Sequence, residues 1–192
     1  MFQNYISVAF RNLIKNKLYS AINIVGLAVG LAACMMIMLF VRDELSYDKH
    51  WSKMDSLHRI TADFYVPGRE PFITAMGQGP VKEALANYFP EDIERVTRFN
   101  GMGPVVSYDG KVFNERMMWT DPETADMFSF NVLAGDIHAA LNDNASLAIS
   151  ESFASKHFGD RNPIGEVMNL TLYTVDRDYK IAAVFEDLPH NT

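Results

Sequence analysis

The side chains in this chain that could do chemistry are many, but their spacing forms no reactive pattern. His50, His58, His138, His157 and His190 lie scattered, without the paired spacing that brings imidazoles onto one metal. They read as surface or packing histidines, and no metal site is expected. Asp43, Glu44 and Asp48 cluster and could accept a cation, but a solvated charge run is the simpler reading. Asp63, Asp92 and Asp187 define no carboxylate pair of the kind that shares acid and base work. There is no GxxxxGKS/T loop, so nucleotide hydrolysis by that route is excluded. GxSxG, HExxH and CxxC are also absent. Asn144-Ala145-Ser146 and Asn169-Leu170-Thr171 match the glycosylation pattern, which matters only in a eukaryotic secretory route. No catalytic residue and no cofactor is expected. The pattern points to a binding or force-transmitting role rather than an enzyme.

The elements that would position any such site begin with one long apolar run. Leu18 to Val41 carries no charged side chain. Its length corresponds to roughly 36 Å of helix, against a hydrocarbon core of about 30 Å. Arg11, Lys15 and Lys17 precede it, and no Asp or Glu occurs before Asp43. The basic flank predicts a cytoplasmic N-terminus with everything after Arg42 outside. All 24 acidic residues lie on that outer side with 13 of the 17 basic ones, a balance of −11. So acidic an exterior argues against nucleic acid as a partner.

A cleaved signal is the competing reading, because Leu31-Ala32-Ala33-Cys34 resembles a lipoprotein processing site that would leave Cys34 lipidated. The apolar run continues through Met35 to Val41, which favours an uncleaved span. Gly26, Gly30 and Cys34 recur every four positions, a stripe of small residues on which a second helix could pack closely. Met35, Met36 and Met38 read as apolar filler. Cys34 is the only cysteine, so the exterior contains no disulfide.

Before the span, Phe2, Tyr5, Ile6, Ala9, Phe10, Leu13 and Ile14 recur at helical spacing, with Arg11, Lys15 and three asparagines on the other side. This predicts an amphipathic helix in the cytoplasmic interface. It serves either as a plain anchor or as a surface for a cytoplasmic partner.

The exterior reads as mixed α and β. Ile60, Ala62, Phe64 and Val66 alternate as in a strand that ends at Pro67-Gly68. Val81 to Phe89 has helical periodicity and stops at Pro90. Pro104 to Trp119 is a hairpin turning at Asp109-Gly110. Asp121-Pro122-Glu123 opens a short helix through Met127. Ser146 to Ile149 predicts a strand, and Glu151 to Phe158 a helix closed by Gly159. Leu170 to Val175 and Tyr179 to Phe185 predict two final strands around Asp176-Arg177-Asp178. The fold class is thus an α+β domain anchored by one N-terminal transmembrane helix, itself preceded by an amphipathic interfacial helix. The divisions are residues 1–17, 18–42 and 43–192.

Several stretches carry a family resemblance. Asn23 to Cys34, followed by Glu44-Leu45-Ser46-Tyr47-Asp48, resembles the first membrane helix of an ABC transporter permease of the macrolide-exporter type. That group has FtsX-like membrane helices and a MacB-like periplasmic core domain. Tyr88-Phe89-Pro90-Glu91 with Arg98 resembles the segment after its first core helix. Ser152 to Gly159 with Asn162-Pro163-Ile164-Gly165 resembles its A-x-x-x-F-G and P-I-G stretch. Val184-Phe185-Glu186-Asp187-Leu188-Pro189 resembles its G-V-F-x-D-L-P ending, with Ala183 where Gly is usual.

The resemblance implies a permease subunit of the bacterial inner membrane, used for export or efflux. A separate cytoplasmic ABC ATPase would drive it, and motion would pass to the periplasmic domain. A second permease copy or half, membrane lipid and a periplasmic or outer-membrane protein are the further partners implied. Phe2, Ile6, Phe10, Arg11 and Lys15 would face the ATPase. The family continues into further membrane helices, so the resemblance implies an N-terminal fragment. The alternative is a membrane- or lipid-anchored periplasmic binding module, lipoprotein or single-pass sensor, without a motor.

Overall fold

The computed structural model describes residues 2–192, with side chains from Asn4 onward; Met1 and the side chain of Phe2 lie outside the described residues. The chain divides into two units. One comprises the residues up to Asp48 with Asn191–Thr192, the other Lys49–His190.

The first unit is helical. α1 spans Phe2–Lys15 and α2 spans Lys17–Glu44. Asn16, at φ −107° and ψ 56°, breaks the helical path between them, and Ser20 Oγ donates to Leu13 O at 3.1 Å across the joint. α2 is long and apolar enough to cross a membrane, with a mean hydropathy of 2.7 over its most apolar window. After α2, Asp48 takes a positive φ of 60°. Its N–H donates to Asn191 O at 2.9 Å, and Asn191 Nδ2 donates to Ser46 O at 3.0 Å and Ser46 Oγ at 2.8 Å.

The second unit is α+β. Its strands are β1 (Ala62–Phe64), β2 (Phe72–Thr74), β3 (Phe99–Met102), β4 (Val105–Tyr108), β5 (Lys111–Asn114), β6 (Met117–Thr120), β7 (Val132–Gly135), β8 (Ser146–Ser150), β9 (Val167–Leu172) and β10 (Val175–Phe185). Its helices are α3 (Val81–Tyr88), α4 (Thr124–Met127), α5 (Ile137–Asn142) and α6 (Glu151–Phe158). The main sheet runs β5-β4-β9-β10-β7, with β8 also on β10; β1-β2 and β3-β6 form two-stranded ribbons. β10 is the spine. It pairs antiparallel with β9 and β7 and parallel with β8.

The core lies on both faces of β10, and a bulge allocates its residues. Tyr179, Ile181 and Val184 join Val106, Ile149, Phe158, Met168 and Leu170 in one buried cluster under α6. Ala183 joins Ile137 and Ala140 in a second cluster under α5. Strict alternation would put Ile181 and Ala183 on one face. The register against β8 shifts between them, which re-aims Ala183 to the other side. Gly135 is forced by the same crowding. Its φ is +78°, and a Cβ there would fall on the Ala182 carbonyl.

Most elements match the sequence pattern. The Asp109-Gly110 turn has both residues at positive φ, 49° and 70°, as a two-residue hairpin requires. Gly159, at φ 61°, ends α6, and Ser150 caps its start by accepting from Phe153 N–H at 3.3 Å. Two expectations shift. The strand expected from Ile60 to Val66 narrows to Ala62–Phe64. The final pair turns at Tyr173-Thr174 rather than at Asp176-Arg177-Asp178, with Tyr173 at φ 55°. Those three charged residues lie within β10 because Asp176 and Asp178 are held across the ladder: Thr171 Oγ1 donates to Asp176 at 2.5 Å, and Asn169 Nδ2 to Asp178 at 3.0 Å.

Candidate functional site

The segment Asp126–Asn131 gathers several long-range contacts within the second unit. The chain between α4 and β7 reads Phe128-Ser129-Phe130-Asn131, and its alternate aromatics point into one cluster. Trp51, only 5% exposed, sets its ring edge-on to Phe128 at 5.0 Å and to Phe130 at 5.5 Å. Phe130 in turn meets Phe185 at 5.4 Å, and Phe128 meets Phe99 at 5.5 Å. These edge-to-face arrangements suit the ring quadrupole and add to the area buried. Polar contacts frame the rings. Ser52 N–H donates to Ser129 Oγ at 3.0 Å, their hydroxyls lie 2.7 Å apart, and Lys53 Nζ donates to Asp126 O at 3.2 Å.

The same segment holds the far end of the domain. Asn131 Nδ2 donates to Glu186 Oε2 at 2.6 Å, and Glu186 N–H returns a bond to Asn131 O at 2.9 Å. One residue on, Asp187 accepts from Ser152 Oγ at 2.7 Å and Ser152 N–H at 3.2 Å, at the start of α6. The Ser152 hydrogen bonds hold its carboxyl below the usual range. The chain passes between its two units after Asp48 and after His190. Trp51 and Phe185-Glu186, close to these two links in sequence, therefore share one seat.

Two charged clusters brace the domain around it. Arg98 reaches Asp121 with Nε and Nη2 and donates to Gly79 O at 3.2 Å. Lys82 bridges to Asp121 at 3.3 Å and to Glu123 at 2.8 Å, tying α3 to the residues before α4. Thr97, Thr120 and Thr124 join hydroxyls beneath them, with Thr124 1% exposed. Elsewhere, Glu115 accepts at one oxygen from Lys156 Nζ at 2.6 Å and faces buried His157 Nε2 at 2.9 Å. Burial pushes the Glu115 carboxyl up, but the two hydrogen bonds outweigh it and leave it below the usual range.

Among the described residues no three His, Cys, Asp or Glu side chains gather as a metal site. Gly26, Gly30 and Cys34 fall on α2 at steps of four, with Cys34 exposed and open space around both glycines among the described residues. Ile6 and Phe10 are exposed on α1, as are Arg11 and Lys15.

Trp51, Phe128 and Phe130 were not legible as a site in the sequence. The available signal was a tryptophan just beyond a charged juxtamembrane run and the alternation Phe128-Ser129-Phe130. Several stretches that carry the family resemblance turn out to be joints. Gly159 ends α6. Gly165 N–H donates to Ile181 O at 2.8 Å and sets the start of β9 against β10. Phe185-Glu186-Asp187 supplies the docked end of the domain.

Comparison with known proteins agrees with this architecture. The model of the MacB-like periplasmic core domain matches residues 20–192. The crystal structure of a domain assigned to a permease protein from Porphyromonas gingivalis aligns at 32% identity and a TM-score of 0.57, covering 69% of this chain and 56% of that one. The chain thus spans little more than half of that relative. The periplasmic region of MacB from Actinobacillus actinomycetemcomitans aligns at 18% identity and a TM-score of 0.45, over 55% of this chain and 50% of that one. The extracellular domain of the noncanonic ABC-type transporter YknZ from Gram-positive bacteria aligns at 14% and 0.47, over 57% of each. No curated protein matches the chain. With the family model covering nearly its whole length, the chain belongs to the MacB-like periplasmic core domain family.

Proposed function

We propose that this chain is the membrane-anchored part of an export permease that carries ATPase-driven motion from the cytoplasm to a periplasmic domain. The observation that carries the reading is the shared seat. Trp51 follows the first link between the units and Phe185-Glu186 precede the second, and both dock on Asp126–Asn131. A displacement delivered along α2 enters the second unit, on this reading, beside Trp51 and that seat. On this reading the N-terminus is cytoplasmic, as the basic flank favours. Residues 1–17 are then the interfacial element, 18–42 the span and 43–192 the periplasmic part. Ile6, Phe10, Arg11 and Lys15, with Phe2, present the surface that meets a separate ATPase subunit. Gly26, Gly30 and Cys34 form the face that packs against a second permease copy or half. Membrane lipid surrounds the rest of α2, and a periplasmic or outer-membrane protein receives the motion.

Cysteine labelling in intact cells, in a Cys34→Ser background, tests the topology. Asp109→Cys should react with an impermeant maleimide and Asn12→Cys should not; the reverse labelling overturns the orientation. Site-specific crosslinking from Arg11 should trap an ABC ATPase. A crosslinked set containing none removes the motor from the proposal.

A further inference from the structure

Among the described residues the main sheet ends at β5, which pairs with β4 on one side and with no strand on the other. Its free edge is well defined. The Asp109-Gly110 turn makes Tyr108 and Lys111 the closing pair of a two-residue hairpin, which exchanges both backbone bonds. Bonded and non-bonded pairs then alternate. Val112 opposite Ser107 and Asn114 opposite Val105 are the non-bonded pairs, so their N–H and C=O groups point away from β4. The bond from Glu115 N–H to Pro104 O, 3.1 Å, falls where that alternation puts it. The edge thus offers donors and acceptors at the two-residue spacing an added strand needs. Val112, at its centre, is 65% exposed.

Charge selects the occupant. Lys111 opens the strand. Arg116 and Lys156 stand beside its far end, where a groove of about 490 Å³ is also lined by Asn114, Ser150 and Phe153. Glu115, the carboxylate in that groove, is already engaged by Lys156 and His157. Asp109 at the turn and Glu115 offset part of this charge, leaving the edge three cations to two carboxylates on a domain whose acidic residues far outnumber its basic ones. Edge strands are commonly guarded by inward or edge charge, yet here the central residue is an exposed valine. We propose that the outer edge of β5 docks an extended, acidic segment of a partner protein, added as a seventh strand with its carboxylates toward Lys111 and Arg116. This goes beyond the transport reading and does not depend on it.

The test uses the full chain in detergent micelles and two fluorescein-labelled peptides, TVEVEVT and TVKVKVT, followed by anisotropy. The acidic peptide should bind about tenfold or more tighter than the basic one. Val112→Pro removes a donor that β4 does not use, so the fold should persist while binding of TVEVEVT is lost. Arg116→Glu should weaken the acidic peptide about fivefold or more and strengthen the basic one. An acidic peptide N-methylated at alternate residues has the same charge and lacks the pairing groups. It must fail to bind, which keeps the test decisive if Val112→Pro does not fold. Equal binding of the two peptides overturns the proposal, as does retained binding by a folded Val112→Pro chain. Absence of binding by either peptide makes Lys111 a charge guard on an unused edge and also overturns it. Self-association abolished by Val112→Pro would name a second copy as the occupant instead, with the same consequence.

Discussion

Arg98 holds Asp121 at two points, Nε to Oδ2 at 2.9 Å and Nη2 to Oδ1 at 2.7 Å, while the Arg98 N–H donates to Oδ2 at 3.0 Å. The fork fits a carboxylate bidentately and is stronger than a neutral pair. The Arg98 hydrogen bond, opposed by burial and aided by Lys82, keeps the Asp121 carboxyl below its usual range. Glu123, bonded to Lys82, is lowered as well. A carboxyl depressed by folding stabilises the native state above the unfolded pKa, about 4, and loses that contribution as pH falls through its lower folded value. Urea unfolding should therefore show stability level near neutral pH and declining below about pH 4. Asp121→Asn should be less stable at pH 7 and flatter across the acid limb. An unchanged acid limb in that variant would remove Asp121 from the account.

Removing the indole at the seat should be costly. Trp51 is nearly fully buried among Phe128 and Phe130. Trp51→Ala should lower the stability of residues 49–190 by about 3–5 kcal/mol, read from denaturant midpoints. Tyr173→Ala, at a side chain 90% exposed, should change it by less than about 0.5 kcal/mol. Equal effects would mean that the aromatic seat does not bear on folding.

At Gly135 any side chain meets both an adverse φ and the backbone of Ala182. Gly135→Ala should destabilise by about 2–5 kcal/mol, the sum of left-handed strain and overpacking. Gly68→Ala, also at positive φ but in open space, should show only the conformational part, about 1 kcal/mol. Thermal midpoints of the two variants separate crowding from backbone strain.

The small-residue face of α2 makes a positional prediction. Gly30→Ile should weaken helix association in a membrane reporter by about 1–2 kcal/mol, while Val29→Ile on the neighbouring face should have little effect. Indistinguishable substitutions would leave the stripe without a packing role.

What could be read from the sequence followed the range of the interactions concerned. The long helix, the Asp109-Gly110 hairpin and the Gly159 stop are set by residues within a few positions of one another, and their chemistry is visible locally. β7 and α5 were not legible. Val132–Gly135 is short, and it is a strand because β10, some fifty residues later, supplies its ladder. The final turn was misplaced because charged Asp176 and Asp178 look like loop residues until Thr171 and Asn169 bond them across the strands. Arg98 stood out through the family resemblance, yet its partner Asp121 read only as a helix opener. The seat was hidden for the same reason: Trp51 and Phe130 lie far apart in sequence, and no local pattern links them.

The late position of β10 has a consequence for biosynthesis. β7 and β8 pair with β10, so neither is secured in the main sheet until the chain through Phe185 is available. A domain delivered across a membrane N-terminal end first would thus spend most of its transit with the β4–β5 hairpin formed and those partner strands waiting. The β10 pairings with β7 and β8 join residues about 35 to 50 positions apart, which slows folding and prolongs the exposure of apolar strands. Truncations that end before Val175 should yield chains prone to aggregation and proteolysis rather than smaller folded domains.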